Sequence, residues 1–307
     1  MSGGHAHHHG HHGHHHHHGP PADGDRRWVI GVVLNGGFVV VEAVAGILGH
    51  SMALLADAGH NLSDVLALGM AGAAAWLARR PSGPRRTYGF GKATVLAAFA
   101  NAVVLVFASG YIAREAIGRF STPSEPASGL MMGVALAGIL VNGLTAVLFM
   151  RGREHDLNVR SAFLHMAADA AISAGVAVAG GLILFTGQAW IDPVASLLII
   201  VVILLGTWGV LRESFDLAMD TAPEGVDMAA VRTFLCSQPG VSAVHDLHVW
   251  PLSTTETALT AHLVRADGGG DEFLKGVCRE LETRFRIGHA TLQVEKLSLE
   301  DCEDLHA

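Results

Sequence analysis

The sequence predicts a membrane-embedded bundle of six α-helices followed by a small α+β domain, and three observations carry that prediction. Of 307 residues, 50% are apolar and only 16% charged, with a mean hydropathy of +0.38. Six apolar stretches, each near the ~20 residues that cross a bilayer, fill the chain up to residue 211. The charge balance then shifts: residues 212–307 hold 8 Lys+Arg against 17 Asp+Glu, whereas residues 1–211 hold 12 against 11. The predicted division is a disordered His-rich tail (1–26), a helical membrane domain (27–211) and a cytosolic α+β domain (212–307). An acidic soluble part argues against nucleic acid as a partner and suits cations.

In chain order, residues 5–18 hold eleven of the twenty histidines. A purification tag is normally an uninterrupted run, whereas this one is broken by Gly10 and Gly13 and continues into Gly19-Pro20-Pro21. Such a composition builds no core and binds metal loosely, which suits a metal-collecting tail. The spans are expected near 28–48, 52–78, 94–117, 129–150, 160–186 and 190–211. Glycines within them (Gly36, Gly37, Gly69, Gly72, Gly175, Gly180, Gly181) suggest close helix approach. Arg26 and Arg27, then Arg79, Arg80, Arg85, Arg86 and Lys92, then Arg151, Arg153 and Arg160 flank alternate span ends, while the opposite connections are nearly empty of Lys and Arg. By the positive-inside rule both termini face the cytosol, placing the protein in the cell's inner membrane.

Beyond Arg212 the pattern reads as a helix over 226–237, strands over 243–250 and 257–265, a helix over 271–286 and a strand over 290–297. That α-β-β-α-β order fits helices layered on one face of a short sheet. The three cysteines, Cys236, Cys278 and Cys302, form no CxxC pair and imply no disulfide framework.

Ionisable residues inside an apolar span are costly and tend to mark an ion pathway. In the second span Asp57, His60, Asn61 and Asp64 make one helical stripe; in the fifth, Ser161, His165, Asp169 and Ser173 repeat at fours. Positions four apart share a helix face. Two such helices facing each other bring His60, Asp64, His165 and Asp169 around one point, a tetrahedral N/O set of the kind Zn²⁺ accepts. Interhelical hydrogen bonding without metal, or a proton relay, are the competing readings. The set lacks a thiolate for Cu(I), and its imidazoles disfavour Mg²⁺ and Ca²⁺. Zn²⁺ ranks first, ahead of Cd²⁺, Co²⁺ and Ni²⁺. Metal must displace protons from such ligands, so protons are the expected counter-ion in a site opening alternately to each side. Glu42, Asn35, Asn101 and Asn142 could line a water path or bond across helices. Asp192, before Pro193, is expected to cap the sixth helix.

The stretch Ser51–Asp64, the His165/Asp169 pair and Val244-His-Asp-Leu-His-Val-Trp250 together resemble the cation diffusion facilitators, in particular their bacterial zinc-efflux branch. The likeness runs from about Trp28 to Lys296. It implies a homodimer in the lipid bilayer with six transmembrane helices per subunit and a metallochaperone-like cytosolic domain. The implied activity is metal/proton antiport by alternating access at the four-residue site. It also implies cytosolic metal ligands, by motif position His245, His262, His289 and Glu295. The strand alternation agrees in part: His289 and Glu295 share one parity, whereas His248 and Trp250 have the parity opposite to His245. The pattern departs from some relatives in the loop Arg86–Thr94, which lacks His, Asp and Glu.

An enzyme is not expected. Outside the tail the chain has neither HExxH nor the paired histidine boxes of membrane hydroxylases. A non-transporting metal sensor or buffer would leave the intramembrane pairs without a role.

Overall fold

The structure is a computed structural model that describes residues 26–122, 124–150 and 157–296. The histidine tail, Arg151, Arg153 and Cys302 lie outside the described residues, as do the side chains of Arg26, Arg27, Arg160 and Ser161. Six helices come first: α1 (Arg26–Leu48), α2 (Met52–Ala78), α3 (Lys92–Ser121), α4 (Ser128–Met150), α5 (Leu157–Thr186) and α6 (Ile191–Ala218). The predicted architecture follows: α7 (Met228–Cys236), β1 (Val241–Pro251), β2 (Thr257–Arg265), α8 (Asp271–Phe285) and β3 (His289–Glu295). By length and composition α2 to α6 can cross a membrane, and α1 has an apolar stretch at Val33–Leu48. Side chains such as Phe107, Phe185 and Leu205 are exposed, as suits helices whose outer faces meet lipid. Helices satisfy every backbone group internally, which a spanning segment requires.

The helices outrun the apolar spans. The sixth was expected to stop near 211, yet α6 continues to Ala218. Hydropathy marks the stretch that tolerates lipid, whereas backbone hydrogen bonding carries the helix on through Arg212, Glu213 and Asp216.

The described residues fall into two compact units, those within Met1–Leu68 and Ala102–Val210, and those within Gly69–Asn101 and Leu211–Ala307. The first has a core of Phe38, Leu54, Leu105, Met131, Val176, Ile183, Ile199 and Ile203. At Gly180 on α5 a Cβ would sit 3.0 Å from the Met132 backbone nitrogen on α4, so a larger residue here would press α4 back by a few tenths of an ångström. At Gly36, Gly37, Gly69, Gly72 and Gly175 it would meet open space; these glycines do not mark the close packing expected of them.

Asp192 does not serve mainly as the cap of α6. It sits within the first turn of α6, buried, and its carboxylate accepts from Ser51 Oγ at 2.6 Å and from the Met52 and Ala53 backbone nitrogens at 2.7 and 3.2 Å. It therefore caps α2, whose first N–H groups have no intrahelical acceptor. Arg119 of α3 approaches the same carboxylate at 3.8 Å and donates to the His50 carbonyl.

In the second unit the sheet order is β1-β2-β3, with β1/β2 antiparallel and β2/β3 parallel through α8. Val244, Val249, Leu259, Ala261 and Leu263 pack with Val231, Phe234 and Leu235 of α7 and Val277 and Leu281 of α8. Asp227 caps α7 by accepting from Ala229 N and Ala230 N at 2.9 and 3.0 Å. The segment joining α2 to α3 belongs to this unit. Thr254 N donates to Thr94 Oγ1 at 3.1 Å, and Lys92 pairs with Asp220. Arg80 and Arg86 stack on Trp76 and Phe90, 4.3 and 4.5 Å from the ring centroids.

Replacing Asp192 with Ala removes three acceptor contacts and leaves buried donors unpaired, at about 1–3 kcal/mol for each unsatisfied group. The thermal midpoint of the detergent-solubilised protein should fall clearly in Asp192→Ala and by less in Asp192→Asn, which keeps one acceptor oxygen.

Candidate metal sites

Within the first unit α2 and α5 turn their stripes toward each other. His60 Nε2 lies 3.6 Å from both Asp64 Oδ2 and Asp169 Oδ1; His165 Nε2 lies 3.4 Å from Asp64 Oδ2 and 3.6 Å from Asp169 Oδ2. The rings stand edge to face, centroids 6.3 Å apart. Asp169 is buried, while Asp64 keeps 31% of its side chain exposed, leaving the cluster one open edge.

Those four N···O separations are longer than the usual N–H···O range of about 2.7–3.2 Å. A tetrahedral ion with ligands at about 2.0–2.1 Å has ligand–ligand edges of roughly 3.3–3.4 Å. The observed edges are closer to the second geometry than to the first. His60, Asp64 and Asp169 hold their ligand atoms mutually within 4.8 Å, and His165 stands beside both carboxylates. Neutral imidazoles with ionised carboxylates would give the cluster a charge that a divalent cation cancels.

The remaining stripe residues separate from this cluster. Asn61 Nδ2 donates to Glu42 Oε2 at 3.1 Å and approaches Asp57 Oδ1 at 3.4 Å; Ser173 Oγ donates to Asp57 Oδ2 at 3.1 Å. Asn35 Nδ2 contacts Met166 Sδ at 3.4 Å.

A second cluster stands on the sheet face away from α7 and α8. His245 and His262 are direct cross-strand partners, their ring centroids 5.0 Å apart. Glu295 of β3 joins them: its two carboxylate oxygens lie 3.1 Å from His245 Nε2 and 2.9 Å from His262 Nδ1. The three fall in one group with metal-ligand spacing. Gln293 Nε2 donates to the same carboxylate at 2.8 Å.

The structure does not bring His289 to this group. It pairs with Ala258 at the far end of β3, six residues or about 20 Å along the strand from Glu295. It is exposed and packs edge to face on Tyr88, centroids 5.5 Å apart. Parity gave the right face but not the position along it.

The parity assigned to His248 is corrected by a β-bulge. Between the pairs His245↔His262 and His248↔Thr260, β1 spends one residue more than β2. Asp246 takes φ 50 there, a left-handed conformation that Asp tolerates better than most residues. The extra residue puts His248 on the face of His245. It also makes Asp246 a neighbour of the cluster, 2.8 Å from His248 Nε2 and 3.6 Å from His262 Nε2. Sequence reasoning missed Asp246; the odd spacing of the buried Val244 and Val249 was the available signal.

Apolar spanning helices around a buried imidazole–carboxylate cluster, joined to a small mixed-sheet unit, define a multi-span membrane protein built to handle cations. Residues 28–217 match the family model described as the cation efflux transmembrane domain, and residues 223–297 match the cytoplasmic domain of cation efflux proteins. The chain belongs to the cation diffusion facilitator family of metal cation efflux transporters. It is 38% identical over 279 residues to the zinc transporter ZitB of Escherichia coli, spanning 90% of this chain and 89% of the relative. The metal cation efflux system protein CzcD of Cupriavidus metallidurans is 35% identical over 309 residues, 100% and 93% of the two chains. A cadmium, cobalt and zinc/H(+)-K(+) antiporter of Bacillus subtilis is 34% identical over 273 residues, 87% and 88%. Among solved structures, the metal-bound C-terminal domain of the CzcD transporter is 36% identical and aligns with 23% of this chain and 99% of its own, at a TM-score of 0.21.

Titration of the full chain with Zn²⁺ against a chromophoric chelator should lose one class of bound metal in His262→Ala and keep it in His289→Ala. Equal loss in both variants would return His289 to the ligand set.

Proposed function

We propose that this metal cation efflux transporter carries Zn²⁺ outward across the cell's inner membrane in exchange for protons. His60, Asp64, His165 and Asp169 hold the ion in transit. The observation carrying this reading is the approach of both imidazoles to both carboxylates across α2 and α5, at 3.4–3.6 Å. Two nitrogens and two oxygens favour Zn²⁺, with Cd²⁺, Co²⁺ and Ni²⁺ as weaker competitors. Imidazole and carboxylate ligands take up either metal or protons, so a site exposed alternately to each side exchanges one for the other. The names of the relatives agree with metal export, and one of them names a proton as exchanged ion.

We divide the chain into a metal-gathering tail (1–26), a transport domain (27–211) and a cytosolic domain (212–307), with both termini in the cytosol as the Lys/Arg pattern requires. The cytosolic domain pairs two copies into a homodimer, in keeping with its family model. Metal held by His245, His262 and Glu295 would steady that domain, because it would tie all three strands through one ion. Their spacing supports this.

In proteoliposomes loaded with a fluorescent zinc indicator, Asp64→Ala and His165→Ala should each transport zinc at least about tenfold more slowly than wild type. Even the outer partners of metal ligands are worth about 10–100-fold in affinity. If either variant matches wild type, the four-ligand assignment is wrong.

A further inference from the structure

The Glu42–Asp57 pair belongs to neither cluster, and its burial is extreme. Both carboxyls are 0% exposed, on α1 and α2. Between them they have two identified donors, the Asn61 amide and the Ser173 hydroxyl, and Glu42 Oε1 has no donor among the described residues. One amide bridges the two carboxyls, Asn61 Nδ2 lying 3.1 Å from Glu42 Oε2 and 3.4 Å from Asp57 Oδ1. An ionised carboxylate only accepts, and like charges this close and this buried do not both persist. One of the two carboxyls needs a proton.

The position of the pair gives that proton a use. Asp57 precedes His60 by three residues on α2, and Ser173 follows Asp169 by four on α5, so the pair lies one helical turn from the metal ligands on both helices. The titratable groups facing it are Asp169 from α5 and His60 from α2; from α4, Asn142 is buried but does not titrate.

We propose that Glu42 and Asp57 form a proton-binding site, separate from the metal ligands, that carries one exchanged proton in addition to those the ligands exchange. This rests on the antiport reading above. Metal arriving at the four-ligand cluster adds positive charge one turn away; the O–H bond of the pair breaks and its proton passes to water on the cytosolic side. When the metal leaves outward, a proton from the outer side remakes that bond. One proton is taken up and one released per cycle at this pair, with no other bond changed.

The test uses the full chain in proteoliposomes, with zinc flux and internal pH followed together in wild type, Glu42→Gln, Asp57→Asn and the double variant. Zinc binding, measured by chelator competition over a pH series, should persist in all four and depend less on pH in the double variant. The proton-to-zinc ratio should fall by one in the double variant. An unchanged ratio there overturns the pair while leaving antiport intact. Wild-type zinc transport without any proton flux overturns antiport and the role of the pair with it. A second measurement does not depend on the variants transporting. Infrared spectroscopy of the metal-free wild type at neutral pH should show the carbonyl band of a buried protonated carboxylic acid, diminished in Glu42→Gln. No such band in wild type overturns the proposal.

Discussion

Everything in the membrane unit follows from the need to keep acidic groups inside an apolar bundle without leaving them as bare charges. An ionised carboxylate at a helix centre costs about 2.5–3.5 kcal/mol to insert. Glu42, Asp57 and Asp169, all nearly inaccessible, would together offset roughly 8 kcal/mol or more, within the 5–15 kcal/mol that stabilises a typical protein. The chain answers with imidazoles around Asp169, an amide and a hydroxyl around the Glu42–Asp57 pair, and room for a cation between α2 and α5. The transport chemistry proposed here is the same compensation made reversible.

That arrangement requires α2 and α5 to hold their faces in register. Asp192 ties the start of α2 to α6 through three hydrogen-bond contacts, and Arg119 adds α3 to the same node. Further along α5, Gly180 lets that helix approach the α4 backbone. Gly138 of α4 leaves space for the Phe38 ring and the Ser173 hydroxyl that serves Asp57. In the sheet-bearing unit the same economy appears in a bulge: one extra residue in β1 keeps Val244 and Val249 in the core while collecting His245, His248 and Asp246 on the opposite face.

Much of this was legible in the chain because helices and strands impose fixed periods. The His60/Asp64 and His165/Asp169 pairs declare a shared face through their spacing of four, and the apolar spans declare their helices. What stayed hidden depends on partners far along the chain. Asp192 beside Pro193 looks like a local cap, and nothing in its neighbourhood reveals that its acceptors serve residues 51–53. Glu42 looks like any lone polar residue until α1 and α2 are packed. Strand alternation placed His289 and Glu295 on one face but could not say that they sit at opposite ends of β3. It also failed at Asp246, because a bulge breaks the period of two without a glycine to announce it.

The central claim is that two imidazoles and two carboxylates from α2 and α5 close around one ion. X-ray absorption at the zinc edge tests it most directly, on full-length protein carrying His245→Ala and His262→Ala and loaded with one equivalent of Zn²⁺. The account predicts a four-coordinate ion with imidazole scattering from two ligands and oxygen from the other two, at about 2.0–2.2 Å. A bound ion showing a single imidazole or none, or no zinc retained at all, would contradict it.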